Sequence, residues 1–179
     1  MTAKAENKPL RVLAAASLGG QWVQLLRIAR GLHSRGCEVD YLSTHHKCAA
    51  MIPAGSRFYR VVDFSRSDAY RIFQAFWQAW RALRRSRPAL VVTTGAAPGL
   101  VVLLAARLTG VRAVWVDSIA NVERLSMCGR VASRVASACY TQWPELACGR
   151  VKYAGNVLGD NSHAAADPDM SNTPETEKK

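Results

Sequence analysis

Residues 11–36, RVLAAASLGGQWVQLLRIARGLHSRG, start as a continuous apolar run, break at Gly19 and Gly20, and then change to a helical rhythm that stops at Gly36. A short apolar run bounded by turn residues reads as a buried strand. Gly36 stands where a helix end calls for a residue tolerant of the left-handed conformation. The stretch is therefore strand, glycine turn and helix.

The same alternation continues along the chain. Short β-branched runs recur as CEVDYLS, FYRVVDF, ALVVTT, RAVWVDS, ASACYTQ and RVKYAG. Helical patterns separate them at roughly 20–35, 46–53, 68–86, 98–109 and 121–135, with Gly110 ending the fourth. Strands alternating with helices imply a mainly parallel sheet, here a doubly wound α/β domain of about six or seven strands. Residues 1–9 read as an N-terminal extension and 10–159 as the folded body. The last twenty residues, DNSHAAADPDMSNTPETEKK, lack periodicity and large apolar groups, the composition of a disordered tail.

A chain of 179 residues, 49% apolar, has the length of one domain with a real core, about half that of a two-lobed enzyme. Its net charge is +11, and five of its 13 acidic residues lie after Gly159 against only Lys178 and Lys179, so the body carries +14. An anionic partner is expected, whether nucleic acid, acidic membrane or phosphorylated substrate. The five cysteines are odd in number and widely spaced, which points to reduced thiols. No leader-like apolar stretch precedes the first strand, and GLVVLLAARLTG is too short to span a bilayer. A cytoplasmic protein, free or peripheral on the membrane, is the expectation.

Ligands of such sheets bind beyond the carboxyl ends of the strands, which selects three junctions. At Ser17-Leu18-Gly19-Gly20-Gln21, glycines let a ligand approach the backbone and the following helix offers unpaired N–H groups. Thr93-Thr94-Gly95-Ala96-Ala97-Pro98 repeats the device, with proline suited to a first helical turn. The plainer alternative for both is a tight connection. The third glycine of a dinucleotide fingerprint is missing, which counts against a nicotinamide enzyme. At Trp115-Val116-Asp117-Ser118 a buried strand ends in a carboxylate, a candidate for proton acceptance or for capping the following backbone. His45 and His46 are adjacent and diverge, so no metal site is expected, and no cofactor.

YRIFQAFWQAWRALRRSR, residues 70–87, places Ile72, Phe73, Phe76, Trp77, Ala79, Trp80 and Leu83 on one broad helical face and Arg71, Gln74, Gln78, Arg81 and Arg85 on the other. That face suits the core, and with its aromatics and arginines it equally suits a lipid interface.

SLGGQWVQLLRI, TTGAAPGLVVLLAARLTG, VWVDSIANVERLSMCGR, YTQWPELA and KYAGNVLG, in that order, resemble a known family. It includes bacterial PssD-type capsule and exopolysaccharide proteins and the membrane-associated subunit of the eukaryotic two-chain transferase that adds the second N-acetylglucosamine to dolichyl-diphosphate-GlcNAc. The resemblance covers residues 10–159. It implies one Rossmann-like lobe of a GT-B glycosyltransferase, with a second chain carrying the nucleotide-sugar lobe. The implied reaction moves a sugar from a UDP-sugar to a polyprenyl-diphosphate-linked saccharide in capsule or exopolysaccharide biosynthesis. Ser17, Gly19, Gly20, Gln21, Thr94, Gly95 and Ser118 would hold acceptor or phosphate, and Asp117 would assist proton removal. Phe73, Trp77, Trp80, Arg81 and Arg84 would face an anionic membrane, and Gln142, Trp143 and Glu145 the partner chain.

Two positions depart from the family pattern. Gln21 stands where the family has histidine, and a carboxamide positions rather than deprotonates. Asp117 stands where relatives often carry glutamate. Two other classes remain alternatives: a non-catalytic scaffold that recruits a transferase to the membrane, and a basic nucleic-acid binder. No nucleic-acid module is evident, so nucleic acid is not the expected partner.

Overall fold

A computed structural model describes residues 9–64 and 68–159. The expected tail, and all of the N-terminal extension except Pro9, lie outside the described residues. The elements run β1 (Arg11–Ala15), α1 (Gly20–His33), β2 (Glu38–Ser43), β3 (Phe58–Arg60), α2 (Ala69–Ser86), β4 (Leu90–Thr93), α3 (Ala96–Leu108), β5 (Arg112–Val116), α4 (Met127–Val135), β6 (Ala138–Thr141) and β7 (Val151–Tyr153). Short 3-10 helices occupy His46–Met51 and Pro144–Leu146. The strands form one parallel sheet ordered β3-β2-β1-β4-β5-β6-β7. The doubly wound α/β expectation holds, with the strand order reversing between β1 and β4.

Two apolar layers sandwich the sheet. On one side Trp22, Leu25 and Ala29 of α1 pack over Val12, Ala14, Val39 and Tyr41. On the other, Ala75, Ala79 and Leu83 of α2, Val102, Leu103 and Ala106 of α3, and Ala132 of α4 cover Leu13, Val91, Trp115 and Cys139. At the amino ends of the strands, buried Asp40 accepts hydrogen bonds from Arg57 Nε (3.2 Å) and Nη2 (2.8 Å) and from Ser86 Oγ, fastening the last turn of α2 to β2.

Several expected boundaries move. The helix expected at 121–135 begins at Met127, because residues 117–126 are held as a loop by the contacts described below. The helix expected at 98–109 begins two residues earlier, at Ala96, with Pro98 in its first turn where its missing N–H has no intrahelical partner to lose. The helix expected at 46–53 is a 3-10 helix over His46–Met51, and FYRVVDF pairs over only three residues.

The single apolar face expected of α2 divides. Its small residues Ala75, Ala79 and Ala82, with Leu83, are buried. Phe73 is 70% exposed and Trp77 55%, on the opposite side of the helix beside Tyr70. Trp80 is half-buried, and Arg81 and Arg84 are exposed. The alanines let α2 lie close to the sheet and to α3, which leaves the large rings outside.

Candidate functional site

Adjacent strands β1 and β4 deliver two matching turns to the carboxyl rim. Gly19 caps α1 with φ 120° and ψ −152°, and Gly95 caps α3 with φ 123° and ψ −162°. This backbone region is essentially restricted to glycine. Neither cap receives a side-chain hydrogen bond, so the first N–H groups of both helices point at the rim with the positive ends of their dipoles.

Side chains lock the two turns together. Thr94 Oγ1 donates to the backbone oxygen of Gln21 at 2.8 Å, and Ser17 Oγ donates to Gln21 Oε1 at 2.9 Å. The Gln21 amide nitrogen then lies against Gly95, where an added Cβ would stand 3.1 Å from it. Gly95 is thus required by its backbone and by its neighbour. With Oε1 engaged by Ser17, the Gln21 amide hydrogens have no acceptor among the described residues. Ser17, Gly19, Gly20, Gln21, Thr94 and Gly95 therefore converge as one cluster.

Asp117 directly follows β5 next to this cluster but turns inward. It is 1% exposed and accepts four hydrogen bonds: Trp115 Nε1 (3.1 Å) and Ser126 Oγ (2.6 Å) on Oδ1, Asn121 Nδ2 (3.1 Å) and Ser126 N (2.9 Å) on Oδ2. A carboxylate has about four lone-pair positions, and four donors fill them. Ser126 Oγ also caps α4, accepting from Gly129 N at 2.7 Å, so the carboxylate lies at the positive end of that helix. These contacts offset the cost of burying its charge. They also leave no lone pair for an acceptor hydroxyl, so the geometry assigns Asp117 to fastening the 117–126 loop rather than to removing a proton.

A second buried network supports the loop from below. Gln24 Oε1 accepts from Gln142 Nε2 at 2.9 Å, and Gln142 Nε2 also donates to Asp117 O at 2.8 Å. Gln142 Oε1 accepts from Val157 N, and Trp143 Nε1 donates to Ile119 O at 2.8 Å. Ser118, near Gln24, is itself buried. Gln142 is only 3% exposed and so is not the interface residue expected of it. Trp143 is half-buried and Glu145 exposed on the same rim. The resulting loop projects Val122, Glu123 and Arg124 into solvent.

Sequence reasoning missed Gln24, Asn121, Ser126 and Gly129. Gln24 left a signal: it is a carboxamide among the buried residues of α1. An alanine Cβ at Gly129 would stand 2.6 Å from Asp117 Oδ1, a constraint that only the folded loop reveals.

The sequence profile of Glycosyltransferase Family 4 matches residues 18–117, more than half the chain, from the first glycine turn to the loop carboxylate. The chain belongs to this glycosyltransferase family. Over 82 residues it is 40% identical to the UDP-N-acetylglucosamine transferase subunit ALG14 of Eremothecium gossypii, covering 39% of this chain and 37% of that protein. Over 100 residues it is 29% identical to the UDP-N-acetylglucosamine--N-acetylmuramyl-(pentapeptide) pyrophosphoryl-undecaprenol N-acetylglucosamine transferase of Nitrosomonas europaea, covering 50% of this chain and 28% of that one. The matches thus span well under half the length of these relatives. Among solved structures, Acinetobacter baumannii MurG superposes with a TM-score of 0.72 at 19% identity, over 87% of this chain and 47% of MurG. The family member described here therefore has the fold of one Rossmann-like GT-B lobe.

Proposed function

We propose that this chain, through residues 10–159, is the acceptor-binding subunit of a two-chain glycosyltransferase. The partner chain presents a UDP-sugar, and this chain presents a polyprenyl-diphosphate-linked saccharide from the cytoplasmic leaflet, as in capsule or exopolysaccharide assembly. The observation that carries the reading is the pair of uncapped glycine turns locked by Thr94 and Gln21. Two helix N-termini aimed at one place suit a diphosphate, and the free Gln21 amide hydrogens add a donor for a phosphate or sugar oxygen. The names of the relatives support it: one is a transferase subunit, another acts on a pyrophosphoryl-undecaprenol acceptor. Among the described residues no helix is long and apolar enough to cross a membrane. The exposed rings of α2, flanked by Arg81 and Arg84, supply peripheral attachment to anionic lipid. The loop 118–124 with Trp143 and Glu145 forms the rim that meets the partner.

In this mechanism the chain positions and the partner completes. The glycine turns and Gln21 fix the diphosphate, Asp117 and Ser126 fix the loop above it, and the attacking hydroxyl is held toward the second lobe. Orientation of this kind contributes several orders of magnitude to a displacement. Gln21 cannot take a proton near neutral pH and Asp117 has its lone pairs occupied, so the base comes from the partner. The same two facts favour one second reading, a non-catalytic recruiting scaffold.

Titration of the isolated chain with a short-prenyl diphosphate-GlcNAc, followed by backbone amide NMR, tests the reading. Shifts should concentrate at Gly19–Trp22 and Gly95–Ala97, and UDP-GlcNAc should produce none there. Equal binding of UDP-GlcNAc, or glycosyl transfer by the chain alone, would overturn it. In the reconstituted pair, Gln21→Ala lowering turnover at least tenfold with recruitment intact separates subunit from scaffold.

A further inference from the structure

At the amino ends of the strands, α2 and α3 terminate around a cavity of about 410 Å³ lined by Leu83, Arg84, Arg87, Pro88, Thr109 and Val111. Leu83 and Pro88 are buried and give it an apolar wall, whereas Arg84 and Arg87 are exposed. No acidic side chain lines the cavity. Neither guanidinium has a hydrogen bond or ion pair among the described residues. Glu38 and Asp40, carboxylates at the same end of the sheet, are already engaged by Arg11 and Arg57.

Arginines at a helix C-terminus ordinarily answer the negative end of the dipole, but that end amounts to only about half a charge per helix. Arg84 and Arg85 lie in the last turn of α2, Arg87 directly follows it, and Arg107 lies in the last turn of α3. Four positive charges exceed what two helix ends balance. Like charge held in surplus around one place opposes the compact state unless an anion joins it.

The backbone at Arg87 points the same way. Arg87 ends α2 in the left-handed region, φ 49° and ψ 53°, where glycine is the usual residue. Arg87 also borders a second cavity of about 400 Å³, together with Arg11 and Ala89. A long side chain kept where the backbone favours none marks a side chain in use.

We propose that Arg84 and Arg87 bind the phosphate of an organic phosphate ester, whose apolar part lies against Leu83, Pro88 and Val111. Guanidinium groups present paired planar donors that match phosphate oxygens, and two of them match a dianion. The cavity has the size of a small-ligand site. It lies at the end of the strands opposite Gly19 and Gly95, so the inference stands apart from the acceptor chemistry. Because Arg84 also flanks the exposed rings of α2, a soluble ester and a lipid headgroup present the same group to this pair.

The test follows the Arg84 and Arg87 Nε–Hε signals of the full chain by NMR. Phenyl phosphate is the soluble probe, and phosphatidylcholine bicelles with and without phosphatidic acid are the lipid probe. Saturable shifts of both signals with phenyl phosphate identify a soluble ester. Shifts confined to bicelles that contain phosphatidic acid identify a headgroup. In either case Arg84→Gln with Arg87→Gly should weaken binding at least tenfold. Arg87→Gly alone should keep or raise the melting temperature, because glycine suits a φ of 49°, whereas losing a side chain that served only the fold lowers it. No response to either probe, the same shifts from chloride at equal ionic strength, affinity retained in the double variant, or a melting temperature lowered by Arg87→Gly would each overturn the proposal.

Discussion

Asp117 shows how a count of donors decides a role. With both oxygens fully engaged, its replacement by asparagine sets an NH2 group against a donor and leaves a buried group unmatched, costing about 1–3 kcal/mol. Asp117→Asn should therefore lower the melting temperature and open residues 117–126 to limited proteolysis. A variant that keeps wild-type stability and loses only turnover would return the carboxylate to direct chemistry. Gly129→Ala should behave alike, since its methyl group meets Asp117 and Ser126 inside ordinary contact distance, at about 1–3 kcal/mol for overpacking. Little of this was legible in sequence. Asp117 was visible as a carboxylate ending a buried strand, whereas its donors come from residues four and nine positions later and from a tryptophan two before. Only the closed loop brings them together. The glycine turns were legible because positive φ restricts the residue type, which leaves a mark in composition.

At the scale of the element, α2 is the instructive case. A helical wheel groups Ala79 with the aromatics in one apolar face, because hydrophobicity alone does not distinguish a small side chain that permits close approach from a large one that prevents it. The structure places the alanines inside and Phe73 and Trp77 outside. A fully buried ring of this size contributes about 1.5–3 kcal/mol, so even partial insertion of two into a lipid interface is worth a tenfold or greater change in partitioning. Phe73→Ser with Trp77→Ser should lower sedimentation with vesicles of phosphatidylglycerol and phosphatidylcholine by at least that factor and leave thermal stability within about 0.5 kcal/mol, as for exposed positions. Unchanged binding would move lipid contact to another surface. The start of α4 was misplaced for a related reason: residues 121–126 suit a helix locally, and Asp117 withdraws Asn121 and Ser126 from it.

For the molecule as a whole, the parallel order was readable because the period of the pattern alternates between two and 3.6 along the chain, and the body's positive charge marked it for an anionic partner. The unequal cover of the sheet was not readable, since it follows from which way each crossover turns. The core makes a prediction in alkaline solution. Burial, with the Asp117 carboxylate nearby, pushes the Cys139 thiol up to about 12 from an ordinary 9.0. A raised value means the unfolded chain loses its proton first, so this stability is complete below pH 9 and falls above it by about 1.4 kcal/mol per unit. Urea midpoints measured between pH 9 and 10, before Tyr41 and Tyr59 add to the slope, should decline, and Cys139→Ala should lessen the decline, the remainder including buried Cys48, whose thiol burial also pushes up. Iodoacetamide at pH 8 should label exposed Cys148 first and spare Cys48 and Cys139.

The loop between Asp117 and Ser126 is anchored near its two ends, by the carboxylate and by the capping hydroxyl, while Val122, Glu123 and Arg124 stand free. Such a segment behaves as an exchangeable cassette. Grafting a different tip between the same anchors would change what the rim presents to solvent while the frame beneath is left alone, so variants of this scaffold can alter that surface without rebuilding the sheet.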